Sequence, residues 1–198
     1  MGMIRFFHAF CISLLALLAL PSAVMAQTDD AAANPFATPH VRGTLVAERS
    51  DPVAGRVVTL ALAMTPDKGW HGYWVNGGDA GYGMELAWDL PDGVRAGALR
   101  YPVPDTYLLS GLMNYVYEAP YAVLVDLTLD PSLPKGTALP IRASGNWLAC
   151  SDAVCVPQEG AFALDLTVGA GKAVPDARFD GWRAALPVPL STAPGQNA

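Results

Sequence analysis

The sequence predicts an all-β domain, an immunoglobulin-like antiparallel β-sandwich. Short apolar stretches recur at regular spacing from Val41 onward. Turn-forming Gly, Pro, Asn and Asp residues separate them, and no long segment has the apolar period of a helix. Many short strands with turns between them are typical of antiparallel sandwiches.

The strands follow in chain order. Alternation of side chains is visible in Tyr121–Leu129, which indicates a strand. The other predicted strands are Gly43–Glu48, Arg56–Met64, Trp70–Val75, Met84–Trp88, Ala96–Tyr101, Asn114–Tyr117, Leu139–Ala149 and Gly160–Val168. Turn sequences lie between them at 66–69, 76–79, 91–93 and 131–136.

The C-terminal region differs in character. Phe179, Trp182 and Leu186 have helical spacing, and Pro175 is placed near where a helix would begin. This pattern indicates either a short helix packed on the sandwich or the start of a linker. We therefore divide the chain into an immunoglobulin-like domain over 40–169 and a short helix with a Pro/Ala-rich tail or linker over 170–198.

The first 26 residues have the three parts of a secretory signal peptide. Arg5 gives a basic start, an apolar run follows over Ala9–Leu20, and small residues end at Ala26. The run is short for a membrane span. We expect cleavage after Ala26, a flexible leader over 27–39, and an exported mature protein without a membrane span.

Charge excludes one class of partner. Removal of the signal peptide takes away Arg5 and leaves 11 basic against 18 acidic residues, a net charge of about −7. An acidic chain without a basic run is poorly suited to phosphate backbones, so we expect no nucleic-acid partner.

Cys150 and Cys155 are the residues most informative about function. Cys11 lies within the predicted signal peptide, so these two would be the only cysteines of the mature chain. If residues 151–154 form a hairpin loop, the two cysteines face each other at a Cα distance of about 4.5–5.5 Å, which suits a disulfide. Such a bond can exchange with a partner's thiolate.

Two other interpretations of the cysteine pair remain open. A structural staple is common in exported proteins, although closing so short a loop contributes only about 2 kcal/mol. Two thiolates with thioether or imidazole ligands could hold Cu(I), but no second Cys/His pair has zinc spacing. We expect no bound metal and no cofactor.

The ordered motifs of residues 40–168 resemble a known family. They are Trp70-His71-Gly72-Tyr73-Trp74-Val75-Asn76-Gly77-Gly78-Asp79-Ala80-Gly81, Leu86-Ala87-Trp88-Asp89-Leu90-Pro91-Asp92-Gly93-Val94, Asn114-Tyr115-Val116-Tyr117-Glu118, Trp147-Leu148-Ala149-Cys150 and Cys155-Val156-Pro157-Gln158-Glu159. The chain is similar to the N-terminal periplasmic domain of DsbD-type thiol:disulfide interchange proteins, in the branch that includes ScsB.

The resemblance implies that Cys150 and Cys155 are a redox pair, with activity of the protein-disulfide reductase type. A membrane-embedded donor would reduce the pair, and the pair would reduce periplasmic thioredoxin-like proteins. Members of the family shield this pair with a loop. By that resemblance we predict that His71, Tyr115, Tyr117 and Glu118 line the site.

Two features depart from the family. Asn76-Gly77-Gly78-Asp79 stands where Asn-Pro-Gly-Asp is expected. The sequence also has neither a membrane domain nor a thioredoxin domain, so it is either free-standing or part of a longer protein. The alternatives to a relay are a protein-binding module with an inert disulfide and a copper-handling protein.

Overall fold

The computed structural model describes residues 38–188. The predicted signal peptide, nearly all of the leader and residues 189–198 lie outside the described part. The elements are β1 (Val41–Ala47), β2 (Val57–Pro66), β3 (Gly72–Gly78), β4 (Glu85–Asp89), β5 (Val94–Ala96), β6 (Asp105–Leu109), β7 (Leu112–Tyr117), β8 (Tyr121–Leu129), β9 (Ala138–Cys150), β10 (Cys155–Thr167) and α1 (Arg178–Ala184).

The strands form three antiparallel sheets, which confirms the predicted immunoglobulin-like sandwich. Their strand orders are β1-β2-β8-β5, β10-β9-β4 and β3-β7-β6. The main core is built from alternate residues of the first two sheets, including Leu60, Leu62, Val123, Ile141 and Phe162, each at most 5% exposed. Alternation follows from the pleat, which sends successive side chains to opposite faces.

The C-terminal segment forms the short helix that its apolar spacing indicated. Phe179 is fully buried against Ala61, Ala122 and Leu124, which lie on the face of β2 and β8 opposite the main core. On the same helix, the Arg183 guanidinium donates to both carboxylate oxygens of Glu48, at 2.9 and 2.5 Å. The helix therefore covers an otherwise open face of the first sheet.

The β9–β10 hairpin is the longest paired element of the fold. Its register runs without a shift from Ala138 opposite Thr167 to Cys150 opposite Cys155. Buried Gln158 accepts hydrogen bonds from the backbone N–H of Val41 at 2.9 Å and from the Trp147 indole at 3.2 Å. The first bond ties the hairpin to β1, and the second joins β9 to β10 within the hairpin, so its tip is held by the sandwich.

Two predicted elements had wrong boundaries, and one strand was not predicted. The predicted strand over Ala96–Tyr101 is short β5 followed by a single bridge at Arg100. β10 begins at Cys155 and not at Gly160, because the polar stretch before Gly160 still pairs with β9. β6 was not predicted. It has mostly exposed or half-buried residues and lies at the edge of its sheet, so burial leaves little pattern in its sequence.

Replacing Phe179 with Ala should lower the free energy of unfolding by about 3 kcal/mol, since the substitution leaves a cavity under the helix. Chemical denaturation of purified protein measures this change. Val174→Ala is the matched control, because Val174 is 88% exposed and its truncation should have little effect. An unchanged unfolding midpoint for Phe179→Ala would show that the helix does not pack on the sandwich in solution.

Candidate functional site

The two cysteines form a disulfide at the tip of the β9–β10 hairpin. Cys150 and Cys155 are register partners, with Cα atoms 4.0 Å apart. The loop between them is closed by the Ser151 N–H, which donates to the Val154 carbonyl at 2.9 Å, and by the Ser151 hydroxyl, which accepts from the N–H groups of Ala153 and Val154. The predicted hairpin geometry of the cysteine pair is therefore present.

The two cysteines differ in exposure. Cys150 is 1% exposed and packs with Tyr73, Val116 and Leu148 in a small apolar cluster. Cys155 is an exposed residue at the start of β10. Because attack on a disulfide requires access to one of its sulfurs, the arrangement favours approach to Cys155 and release of Cys150.

His71 lies beside the buried cysteine. Its backbone N–H donates to the Cys150 carbonyl at 2.8 Å, and the Cys150 N–H donates to the His71 carbonyl at 3.1 Å. The imidazole is buried, lies 3.3 Å from the Tyr73 hydroxyl through Nε2, and has its ring centroid 4.9 Å from that of Tyr107. Burial lowers the pKa of His71, and the negative charge of Asp152 partly opposes this shift.

A second hairpin covers the pair. We call β6–β7, Asp105–Tyr117, the cap hairpin; its turn has positive φ at Ser110 and Gly111, as in a type I′ turn. The Tyr107 hydroxyl donates a hydrogen bond to the carboxylate of Asp152, which lies in the loop between the two cysteines. This hydrogen bond is the main reason that the pKa of Tyr107 rises to about 12.

The cap hairpin and the cysteine hairpin enclose a small cavity of about 200 Å³. Both cysteines reach it, together with side chains from β3, the cap hairpin and the loop after β3. The lining residues are His71, Tyr73, Ala80, Tyr107, Leu109, Ser110, Leu112, Asn114, Cys150, Ser151 and Cys155. The disulfide therefore lies in a mainly apolar setting with one imidazole.

The Asn-Gly-Gly-Asp turn holds the cap hairpin in place. The Asp79 N–H donates to the Met113 carbonyl, and the Met113 N–H donates to the Asp79 carboxylate, both at 2.8 Å. The Asn114 side-chain oxygen accepts from the Ala80 N–H at 3.2 Å. Gly78 has φ +83°, so the turn needs glycine there. Just after the turn, a Cβ at Gly81 would lie 2.0 Å from the Tyr73 ring, so this position needs glycine too.

The structure brings only some of the predicted site residues together. His71 lines the cavity with the cysteines, whereas Tyr115, Tyr117 and Glu118 are not among its lining residues. Tyr115 packs edge-on against Trp74, and the Tyr117 hydroxyl donates to the Pro102 carbonyl. The negative charge of Glu118 is one of the smaller causes that raise the pKa of Tyr107.

The reason for this placement is strand alternation. In β7, Asn114 and Val116 face the cysteine pair, so Tyr115 and Tyr117 face the other way. The residues that sequence reasoning missed are Tyr107 and Asp152. Asp152 lies between the two cysteines, and this position was the available signal for it; Tyr107 belongs to the unpredicted strand β6.

Two negative findings hold for residues 38–188. Within that range, no group of three or more His, Cys, Asp or Glu side chains is arranged to hold a metal ion. No helix in the same range has the length and apolar character needed to cross a membrane.

Together, the sandwich and its capped hairpin-tip disulfide define an immunoglobulin-like domain carrying a cysteine pair. Residues 44–167 match the family described as thiol:disulfide interchange protein DsbD, N-terminal. The match covers more than half of the chain, so the chain belongs to this family. Comparison with proteins of curated function found no match.

Two solved structures are similar to this chain. The N-terminal periplasmic domain of ScsB from Proteus mirabilis has a TM-score of 0.54 and 20% identity, over 76% of this chain and 56% of that one. The reduced DsbD N-terminal domain from Neisseria meningitidis has a TM-score of 0.39 and 13% identity, over 63% and 85% of the respective chains. The chain thus spans little more than half the length of the ScsB domain.

Replacing Tyr107 with Phe should speed reduction of the disulfide by dithiothreitol about fivefold. The substitution removes the hydrogen bond to Asp152, worth about 1 kcal/mol, and the cap hairpin then opens more readily. Thiol trapping at timed intervals measures the rate. Tyr115→Phe is the matched control, since this tyrosine packs away from the pair and should leave the rate unchanged. Equal rates for Tyr107→Phe and the parent protein would contradict the role of the cap hairpin.

Proposed function

We propose that this chain relays reducing equivalents by thiol–disulfide exchange through Cys150 and Cys155. One observation carries the proposal: a disulfide with one buried and one exposed cysteine lies at the tip of a rigid hairpin, under a cap. Membership in the DsbD N-terminal family supports it.

The chemistry follows from the arrangement of the pair. A donor thiolate attacks the Cys155 sulfur, the Cys150–Cys155 bond breaks, and its electron pair leaves on Cys150. A second donor thiol then releases the mixed disulfide, so the donor is oxidised to a disulfide and the pair is reduced to two thiols. Delivery to an acceptor runs the same steps in reverse, and the acceptor disulfide takes up the two electrons.

Stability does not require this disulfide. The loop that it closes is so short that the cross-link contributes only about 2 kcal/mol in the chain-entropy model. The two strands of the hairpin, β9 and β10, already pair without interruption, and the Gln158 hydrogen bonds add to this. This argues against the alternative in which the disulfide serves only as a staple.

The proposed setting is the periplasm, reached through the signal peptide predicted for residues 1–26. The proposed donor is a membrane-embedded protein, and the proposed acceptors are thioredoxin-like periplasmic proteins. Both partners are carried over from the family. An acceptor would meet the exposed apolar side chains of the cap hairpin: Leu108, Leu112 and Met113, which are 66%, 46% and 38% exposed.

The same apolar side chains support a second candidate function, a binding module with an inert disulfide. That function predicts that a Cys150→Ser/Cys155→Ser double variant keeps its partner. A direct copper site has less support, because no group of three or more His, Cys, Asp or Glu side chains within residues 38–188 is arranged to hold a metal ion.

The relay is tested with single-cysteine variants in a Cys11→Ser background. Cys150→Ser retains exposed Cys155, and Cys155→Ser retains buried Cys150. We expect the first to form a mixed disulfide with glutathione disulfide at least about tenfold faster than the second, because access limits the attack. Mass spectrometry at timed intervals measures both rates.

The same experiment includes a transfer step. The fully reduced Cys11→Ser protein should lose two thiols on mixing with an oxidised thioredoxin-fold protein, while the double cysteine variant should transfer none. Failure of the reduced protein to react with either oxidant would reject the relay and leave the binding module.

A further inference from the structure

We propose that His71 is the acid–base residue of the exchange reaction, taking the proton of the Cys150 thiol when Cys150 attacks and returning it when Cys150 leaves. The inference rests on the proposed relay function and adds a named proton acceptor to it. Neither the cysteine spacing nor the family match assigns this role.

The first support is position. His71 and Cys150 form a two-residue antiparallel bridge and exchange both backbone hydrogen bonds, at 2.8 and 3.1 Å. Residues paired in this way send their side chains to the same face of the sheet, with Cβ atoms about 5 Å apart. The two side chains therefore lie on the same face of the sheet, and both residues line the same cavity.

The second support is the burial of Cys150. With 1% of its surface exposed, this residue would have to hold a thiolate in an apolar cluster, where an unpaired charge is costly. The cavity lining contains no Lys or Arg to pair with that charge. A helix N-terminus is also missing there, because the cysteines belong to two β-strands. A neighbouring proton acceptor would lower this cost by pairing the thiolate with a positive charge.

The third support is that His71 is the one cavity-lining group suited to that task near neutral pH. Tyr73 and Tyr107 also line the cavity, but burial raises the pKa of Tyr73, and the Asp152 hydrogen bond raises that of Tyr107 to about 12. Burial keeps His71 neutral at pH 7 by lowering its pKa. A neutral imidazole can accept a proton.

The charged and titratable neighbours of the imidazole come from every element packed around it. They are Tyr73 on β3, Tyr107 on the cap hairpin, and Asp152 with the two cysteines on the β9–β10 hairpin. Glu118 acts on Tyr107 rather than on the imidazole. Asp152 is the one negative charge that acts on His71, and it favours the imidazolium that forms when the Cys150 proton is transferred.

The resolving step moves one proton to His71 and two electrons to the acceptor. With Cys155 joined to the acceptor as a mixed disulfide, the Cys150 proton moves to the His71 imidazole. The Cys150 thiolate attacks the Cys155 sulfur, the bond from Cys155 to the acceptor breaks, and the acceptor leaves as a thiolate. The imidazolium then loses its proton to solvent. Two electrons have passed from the pair to the acceptor.

The test uses 5,5′-dithiobis(2-nitrobenzoate) with reduced protein in the Cys11→Ser background. Cys155 attacks the reagent and releases a first coloured thiolate; Cys150 then resolves the mixed disulfide and releases a second. Stopped-flow absorbance separates the two releases, and a Cys150→Ser variant marks the first release alone. The second release isolates the step assigned to His71.

We expect His71→Gln to slow the second release about tenfold or more at about pH 7, and to leave the first within about twofold. The parent protein's second release should be nearly flat above about pH 6.5, where His71 is already neutral. In the variant it should rise about tenfold per pH unit over the same range, because the attacking thiolate then forms only as the solution becomes more basic. A second variant, His71→Asn, should behave like His71→Gln.

Each contrary result has a distinct meaning. An unchanged second release in His71→Gln overturns the inference, and so does an equal slowing of both releases, which a purely structural role would produce. If neither variant folds, the parent profile decides: a steep rise between about pH 6.5 and 8.5 overturns the inference. If the parent protein shows no second release at all, the relay itself is rejected.

Discussion

The register of the β9–β10 hairpin is the constraint on which the site depends. Opposition of Cys150 and Cys155 requires every pair from Ala138 and Thr167 onward to stay in step. A slip by one residue would separate the cysteines and turn the buried face of β10 outward. The Gln158 side-chain oxygen opposes such a slip by accepting from the Val41 N–H, which fixes the hairpin to β1, and from the Trp147 indole, which joins β10 to β9.

The same hairpin organises the other parts of the site. Its end pairs with His71, which places β3 and therefore the whole β3-β7-β6 sheet beside the disulfide. That sheet contributes the cap hairpin, and Tyr107 closes the arrangement by donating to Asp152. One exposed cysteine, one buried cysteine and a covering hairpin thus follow from one strand pairing. We interpret the contact between Tyr107 and Asp152 as the part able to move, since it joins mostly exposed residues at a sheet edge.

The sequence was most informative where burial imposes a period. Tyr121–Leu129 was predicted with its observed bounds, because Val123 and Val125 enter the core while Ala122 and Leu124 meet the helix. The hairpin pairing of the cysteines was likewise predictable from a four-residue loop. The cap was not, since β6 gains its structure from pairing with β7 rather than from burial. Tyr115 and Tyr117 lie on the opposite face of β7 from Asn114 and Val116, and alternation alone does not tell which face meets the cysteines.

The most direct test of the relay is the reduction potential of the Cys150–Cys155 pair in the Cys11→Ser protein, measured in glutathione and dithiothreitol buffers with thiol trapping. Structural disulfides usually lie below about −300 mV, and labile exchange pairs lie higher. We predict a potential of about −200 to −250 mV with rapid equilibration in the folded protein. A pair that resists glutathione and is reduced only when the protein unfolds would contradict the relay.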